Sequence, residues 1–301
     1  MNLIQLFSDI EKVDPEVYGR FDTRRKAMSE FGRMGRKVAL ASLPLALGSM
    51  FKKAYGKTND LVTDTLNFAL ALEFLEREFY QRVKANYDGI GVPAGDPRAA
   101  LDTILLHEAQ HVDFLAAALT AAGAMPYKRS DLRIDISGGK GVGLDDMGNG
   151  TPVGPFAGAL SDYDTMLAVA QTLEDTGVRA YKGQAGNLIS NNDFLTAALN
   201  IHSVEARHAS HIRSMRKGRG AVVKPWVTMK DSGITGAAGA LVQASYNGEE
   251  LLSQAGVNIA GIPGISANAA SESFDEPLTK EQVLAITGTP GGGTVSGFFF
   301  Y

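Results

Sequence analysis

Two short segments of the chain pair a glutamate with a histidine three residues later, at Glu108 and His111 and again at Glu205 and His208. Residues three apart lie on the same face of an α-helix, so each pair projects a carboxylate and an imidazole together. The first pair lies within an apolar run, which predicts that this face is buried. A buried carboxylate is costly unless it is paired, hydrogen-bonded or bound to a metal. The two segments therefore predict a buried metal site.

The remaining composition restricts which metals fit such a site. The chain has 301 residues, no cysteine and five histidines, all of which fall in or within a turn of the two segments. Without cysteine, disulfides, zinc–thiolate sites and iron–sulfur clusters are excluded. Any metal must therefore be held by His, Asp and Glu, which suit iron or manganese.

Charge and hydropathy limit the classes of binding partner that the chain is expected to have. The chain is 45% hydrophobic and 21% charged, which is enough for one large folded domain with appended segments. Its formal net charge of −4 gives no electrostatic reason to expect nucleic acid or an anionic membrane. The apolar run at residues 38–51 has fourteen residues, too few to span a bilayer, so no integral membrane span is expected.

Hydrophobic periodicity predicts four long helices, at residues 58–87, 96–122, 161–188 and 193–217. Asp96 and Pro97 suit the start of the second helix, and Gly123 suits its end. Residues 124–160 are rich in glycine and proline and contain one possible extended segment at 132–136. The pattern predicts an all-α four-helix bundle in which a long crossover joins the second helix to the third.

Segments flank the bundle on both sides, which divides the chain into residues 1–57, 58–220 and 221–301. Residues 1–57 are predicted to form N-terminal helices docked on the bundle of a cytoplasmic protein. The alternative is a twin-arginine-like leader for export to the periplasm, since Arg24 and Arg25 precede an apolar run. Residues 221–301 are predicted to be an irregular extension with short helices near 237–245 and 276–286 and a docked aromatic end.

The helix before each Glu–His pair carries a matched acid and tyrosine. Glu73 is followed by Tyr80 and Glu174 by Tyr181, a spacing of seven residues, or two turns along one face, in both cases. One glutamate from each of two helices plus Glu–x–x–His from the other two is the ligand set of di-iron and di-manganese bundles. We therefore predict two metal ions held by Glu73, Glu108, His111, Glu174, Glu205 and His208, with Tyr80 and Tyr181 as candidate catalytic residues. The alternative for the tyrosines is a core position with a bonded hydroxyl.

Several nearby polar residues have simpler interpretations. Glu76 lies one turn from Glu73 and is the main alternative ligand, but only Glu73 aligns with Glu174. His107 is expected at the surface or in helix packing. His202 is a possible partner of the ligands, and His211 is a possible partner or an extra ligand. Asp175 is expected to be solvated or bonded to a ligand. The cations near 213–219 are expected to form a solvated helix end.

Residues 58–218 resemble the ferritin-like superfamily, in particular the bacterial ferritin-like proteins associated with stress and desiccation. The resemblance rests on the duplicated ligand pattern, on Leu66–Glu76 and on Phe274–Thr279. It implies a ferritin-like bundle. It also implies one ion at Glu73 and His111, a second at Glu174 and His208, and bridging carboxylates at Glu108 and Glu205.

The expected activity is that of a di-iron oxidoreductase. It would react with O2 or hydrogen peroxide, and would oxidise Fe(II) or protect against oxidative stress. Two alternatives remain open. One is catalase-like peroxide dismutation by two manganese ions, because the ligand types do not separate manganese from iron. The other is a structural or assembly protein with a vestigial metal centre. The flanking segments would crowd a closed cage, so a dimer or small homo-oligomer is expected.

Overall fold

Four long helices form two packed pairs in the computed structural model, which describes residues 60–145, 148–288 and 298–300. The helix bounds are α1 Asp60–Ala85, α2 Tyr87–Ile90, α3 Asp96–Ala121, α4 Tyr163–Gln184 and α5 Asn192–Gly218. Helix α1 packs against α3 and α4 against α5, and α1 also contacts α4 across the bundle. The predicted all-α four-helix bundle with a long crossover between its second and third long helices is confirmed.

Local signals set the ends of these helices. The side chains of Asp162 and Asn191 cap α4 and α5 by accepting hydrogen bonds from backbone N–H groups at 2.7 and 3.1 Å. Pro97 lies in the first turn of α3, where its missing N–H costs nothing. Gly123 follows α3 with a φ of +74°, a conformation that strains residues with a Cβ.

Helix α4 lies at the centre of the core. Residues 166–181 are all buried, so this helix has no solvated face. A helix buried on every side needs partners on every side. Helices α1 and α5 supply two of them, and the crossover and the segment after α5 supply others.

The segment after α5 folds over the outer face of α4. The backbone N–H of Leu278 donates to the carbonyl of Arg179 at 3.1 Å. A Cβ on Gly183 would lie only 1.9 Å from the Leu278 oxygen, so glycine is needed for this approach. The elements of this segment are α6 Gly236–Val242, β2 Ser253–Gln254, β3 Val257–Asn258, α7 Ala267–Ser271 and α8 Lys280–Thr287.

The two predicted helices of the extension are both present. The first is α6, extended by a 3₁₀ turn at Gln243–Ser245. The second, α8, begins at Lys280 rather than near 276, because the Thr279 side chain caps it by accepting from the N–H of Gln282 at 3.3 Å.

The crossover contains the predicted extended segment. Strand β1, Arg133–Ile134, pairs antiparallel with β4, Phe299–Phe300. The Phe298 ring is buried and stacks on Phe156 with 6.3 Å between ring centroids. The aromatic end of the chain is thus docked on the crossover, as far as the described residues extend.

Some predictions concern other parts of the chain. The docked helices or export leader of residues 1–57 lie outside the described residues. Within the described residues, no helix combines the length and the apolar character needed to cross a bilayer.

Candidate metal centre

The structure brings all six predicted ligands together inside the bundle. Glu73 comes from α1, Glu174 from α4, and the two Glu–x–x–His pairs from α3 and α5. The glutamates have no exposed surface, and His111 and His208 are only 8% and 5% exposed. These side chains form two groups whose ligand atoms lie within 4.8 Å of one another: Glu73, Glu108, His111 and Glu205, and Glu108, Glu174, Glu205 and His208.

Each histidine presents its Nδ1 atom to three carboxylates. His111 Nδ1 lies 3.1 Å from both Glu73 Oε2 and Glu108 Oε2 and 3.2 Å from Glu205 Oε1. His208 Nδ1 shows the same arrangement in the other half, with Oε1 of Glu108 at 2.9 Å, Oε2 of Glu174 at 3.3 Å and Oε2 of Glu205 at 3.7 Å. Glu108 and Glu205 therefore lie between the two imidazoles.

Several of these buried atoms have no hydrogen-bond partner within the described parts of the chain. They are Glu108 Oε1, Glu174 Oε2, both carboxylate oxygens of Glu205 and Nδ1 of His208. They are close to one another, but their directions do not form hydrogen bonds. Unpaired buried acceptors are costly, and a cation among them would satisfy their lone pairs. The buried Glu and His groups could therefore hold a metal ion, and their oxygen and nitrogen donors fit iron or manganese.

Burial and mutual repulsion shift the pKa values of the cluster. Burial, with the charge of Glu205 added, raises the pKa of Glu108 well above its usual range. Burial also raises the pKa of Glu174 to about 7, although the neighbouring His208 opposes the shift. For His208, burial lowers the pKa, but the carboxylates outweigh it and raise the pKa to about 12. The metal-free cluster therefore retains protons, which a metal ion must displace.

The two predicted tyrosines reach from each half of the bundle to the other. Tyr80 of α1 donates its hydroxyl hydrogen to Oε1 of Glu174 at 2.5 Å. Tyr181 of α4 donates to Oε1 of Glu73. Burial and the nearby carboxylates raise the pKa of both hydroxyls well above the usual value, so both remain donors. The two hydroxyls are therefore hydrogen-bonded to two of the predicted metal ligands rather than to other residues of the core.

One further acid lies against the cluster. Glu76 of α1 is 4% exposed, and burial together with the charges of Glu205 and Glu73 raises its pKa well above the usual value. In the aligned halves, Gly177 occupies the position equivalent to Glu76. A Cβ there would lie 3.1 Å from Oε1 of Glu76 and 3.6 Å from Oε2 of Glu205. Glu73 and Glu76 are thus both buried at the cluster, although they were considered as alternative ligands.

His107 also contacts the cluster of predicted ligands, whereas it was expected at the surface or in helix packing. Its Nδ1 lies 2.9 Å from Nε2 of His208, and the two rings are nearly parallel. His211 is exposed, and His202 is half-buried. In the sequence, the signal for the contact between His107 and His208 was that His107 directly precedes Glu108. The contact itself depends on how α3 and α5 cross.

The solvated helix end predicted near 213–219 is only half right. Lys217 and Arg219 are exposed, but Arg213 is 1% and Arg216 8% exposed. Arg213 donates to both oxygens of buried Asp175, with 2.6 Å between Nη2 and Oδ2. The Tyr246 hydroxyl donates to the same Oδ2 at 2.7 Å. Asp175 is therefore neither solvated nor bonded to a ligand, because the extension covers it.

Comparisons with known proteins agree with this architecture. A family model described as a ferritin-like domain matches residues 61–218. The matched stretch contains the four long helices, apart from Asp60 at the start of the first, and every one of the six converging residues. Neither the curated proteins nor the solved structures give a match to the chain.

Proposed function

Because the chain belongs to the ferritin-like domain family, we propose that it is a di-iron carboxylate protein that reacts with O2 or hydrogen peroxide. The observation that carries this proposal is the convergence of four buried glutamates and two buried histidines from both halves of the repeat. The four carboxylates, when deprotonated, carry four negative charges, which equal the charge of two divalent cations, and the donor types suit iron.

Each residue has a proposed part in holding the ions. Glu73 and His111 would bind one ion, and Glu174 and His208 would bind the other. Glu108 and Glu205 would bridge the two ions, which is supported by their membership of both ligand groups. Tyr80 and Tyr181 would orient the carboxylates of Glu174 and Glu73, which would each bind a single ion, through the hydrogen bonds described above.

When bound, the iron ions would supply the electrons that reduce O2 or peroxide. The protein's own groups would control the surroundings of that reaction. The burial of the cluster keeps bulk water away, and the carboxylates hold compensating charge. Tyr80 and Tyr181 keep a proton on their hydroxyl oxygens, because their pKa values are raised, and act as hydrogen-bond donors to Glu174 and Glu73 beside the proposed ions.

A small apolar cavity next to the centre favours a small substrate. It measures about 20 Å³, enough for about one water-sized molecule. Leu72, which precedes Glu73, and Tyr181 form part of its wall. The other walls come mostly from apolar residues of α1, α3, α4 and α5, with Thr65 and Gln184 as the polar exceptions, so a diatomic gas such as O2 fits better than a polar metabolite.

Metal analysis combined with turnover tests the proposal. Protein purified after iron supplementation should contain two iron ions per chain, and it should oxidise Fe(II) with O2 or consume peroxide. The double variant Glu108→Ala with His208→Ala should lose both turnover and iron, while its oligomeric state in sizing experiments is unchanged. Wild-type protein that binds no metal would overturn the proposal, and a variant that loses assembly but retains turnover would favour a structural role.

Catalase-like dismutation with two manganese ions is the second candidate, because the same oxygen and nitrogen donors suit manganese. Elemental analysis of protein purified from its native source separates the two metals. A manganese-loaded protein that releases O2 from peroxide without an added reductant would replace the iron proposal.

A further inference from the structure

The two halves of the repeat differ at the residue before each Glu–x–x–His pair. His107 precedes Glu108, whereas Val204 precedes Glu205. Both residues are half-buried. Only the histidine offers a hydrogen-bonding side chain, so any interaction that it makes belongs to one half alone.

His107 uses that side chain to contact a predicted ligand from the other half. Its Nδ1 lies 2.9 Å from Nε2 of His208, and the ring planes differ by 10°. Near-coplanar rings at this distance allow one ring N–H to point at the lone pair of the other. His208 Nδ1 lies on the opposite side of the same ring, 2.9 Å from Oε1 of Glu108.

This arrangement allows a role to be assigned to each of the two ring nitrogens of His208. A neutral imidazole carries one proton, and the nitrogen that binds a metal must be the one without it. If Nδ1 of His208 faces the ion, the proton lies on Nε2, which needs an acceptor. Nδ1 of His107 is that acceptor, and ligand histidines held through their second nitrogen bind metals more tightly.

We infer that His107 is a positioning residue for the metal centre, which accepts the Nε2 proton of His208 and makes the two metal positions unequal. The ion at His208 and Glu174 is bound more tightly than the ion at His111 and Glu73. This inference rests on the proposed metal-binding function. In the alignment of the two halves, Val204 is equivalent to His107 and His111 to His208, and a valine cannot accept the corresponding proton.

Stepwise binding of Mn(II) to metal-free protein tests the inference without any measurement of turnover. Electron paramagnetic resonance of free Mn(II) gives both dissociation constants. His107→Ala should weaken the tighter constant about 10- to 100-fold and leave the weaker one unchanged. His107→Gln retains an acceptor and should recover most of the loss. His211→Ala, an exposed histidine of α5, should change neither constant and serves as the matched control.

A second variant tests the same idea in the opposite direction. Val204→His should supply the missing acceptor for His111 and tighten the weaker constant, so that the two constants approach each other. Circular dichroism and thermal unfolding of the metal-free variants establish that each one is folded.

The outcomes distinguish the two proposals. If wild-type protein binds two ions and His107→Ala changes neither constant, or if Gln is no better than Ala, the positioning role is wrong while the proposed function stands. If wild-type protein binds neither Mn(II) nor Fe(II), the proposed function fails and this inference fails with it.

Discussion

The hydroxyl of Tyr80 donates to Oε1 of Glu174 at 2.5 Å, across the bundle from one half of the repeat to the other. Tyr181 makes the reciprocal contact with Glu73. The carboxylates of Glu174 and Glu73 are thus each held by a tyrosine from the other half of the repeat. The two hydrogen bonds couple the geometry of one proposed metal position to the helix that carries the other.

Tyr80→Phe should separate this contact from ring packing. The phenylalanine retains the buried ring but leaves Glu174 without its donor, and a hydrogen bond to a charged group contributes about 1.5–3 kcal/mol. We expect a loss of that order in the free energy of unfolding of the metal-loaded protein, measured by denaturant titration, and a weaker constant for one Mn(II) ion. Tyr127→Phe, at a part-exposed residue, is the control. Equal effects of both substitutions would contradict this prediction.

Metal affinity should rise with pH. In the metal-free state the pKa of Glu174 is raised to about 7 and that of His208 to about 12, so both groups retain protons at and below neutral pH. Since an ion must displace these protons, lower pH favours the metal-free state. Calorimetric titration with Mn(II) at pH 6 and pH 8, in two buffers of different ionisation enthalpy, should show tighter binding at pH 8. It should also show release of at least one proton per ion. An affinity that does not depend on pH would count against this assignment of protons.

Gly177→Ala should weaken metal binding without unfolding the protein. The added methyl would lie 3.1 Å from Oε1 of Glu76 and 3.6 Å from Oε2 of Glu205, so at least one carboxylate must move. Alanine favours a helix interior by about 1 kcal/mol over glycine, which offsets part of any strain. We expect several-fold weaker Mn(II) binding and a thermal midpoint that changes little.

Gly186→Ala provides the comparison for this variant, because nothing lies within 4 Å of the added methyl. Its Mn(II) affinity should equal that of wild-type protein. If Gly177→Ala also binds Mn(II) normally, the closeness of Glu76 to the centre has no consequence for the ions.

Arg213→Met should be strongly destabilising although the residue is not one of the predicted ligands. The substitution leaves the buried Asp175 carboxylate with Tyr246 but without a cation, and breaking a buried pair in this way costs about 3–5 kcal/mol. Denaturant unfolding measures the loss. Lys217→Met, an exposed cation on the same helix, should change stability by less than about 0.5 kcal/mol.

The double variant Arg213→Met with Asp175→Asn provides a further check. Removal of both charges should recover a large part of the stability lost by Arg213→Met alone. A double variant as unstable as the single one would show that packing of the arginine, rather than its charge, carries the effect.

The six converging residues could be predicted from the sequence because their relations are local. Glu108 and His111 lie one turn apart on a helix, and the same pattern at Glu205 and His208 identifies the second half. Helical geometry alone places each pair on one face. The hairpin connections within each half then bring Glu73 and Glu174 to the same level of the bundle.

The contacts that were missed depend on tertiary geometry. His107 meets His208 because of the way α3 and α5 cross, and no spacing along the chain reveals that. Arg213 was expected in solvent, and Asp175 in solvent or bonded to a ligand, because the bundle was considered without the segment that follows it. They are buried by residues such as Tyr246, which lie in a segment whose composition gives no strong helical pattern.

The packing of the segment after α5 over helix α4 also has a consequence for how the protein is synthesised. The Arg179 guanidinium donates to the backbone carbonyl of Glu276, which is 97 residues further along the chain. At a synthesis rate of about 5–20 residues per second, a nascent chain waits roughly 5–20 seconds between the two. Throughout that interval the ribosome-bound protein exposes one side of its central helix, and this is the stage at which we expect a chaperone to engage it.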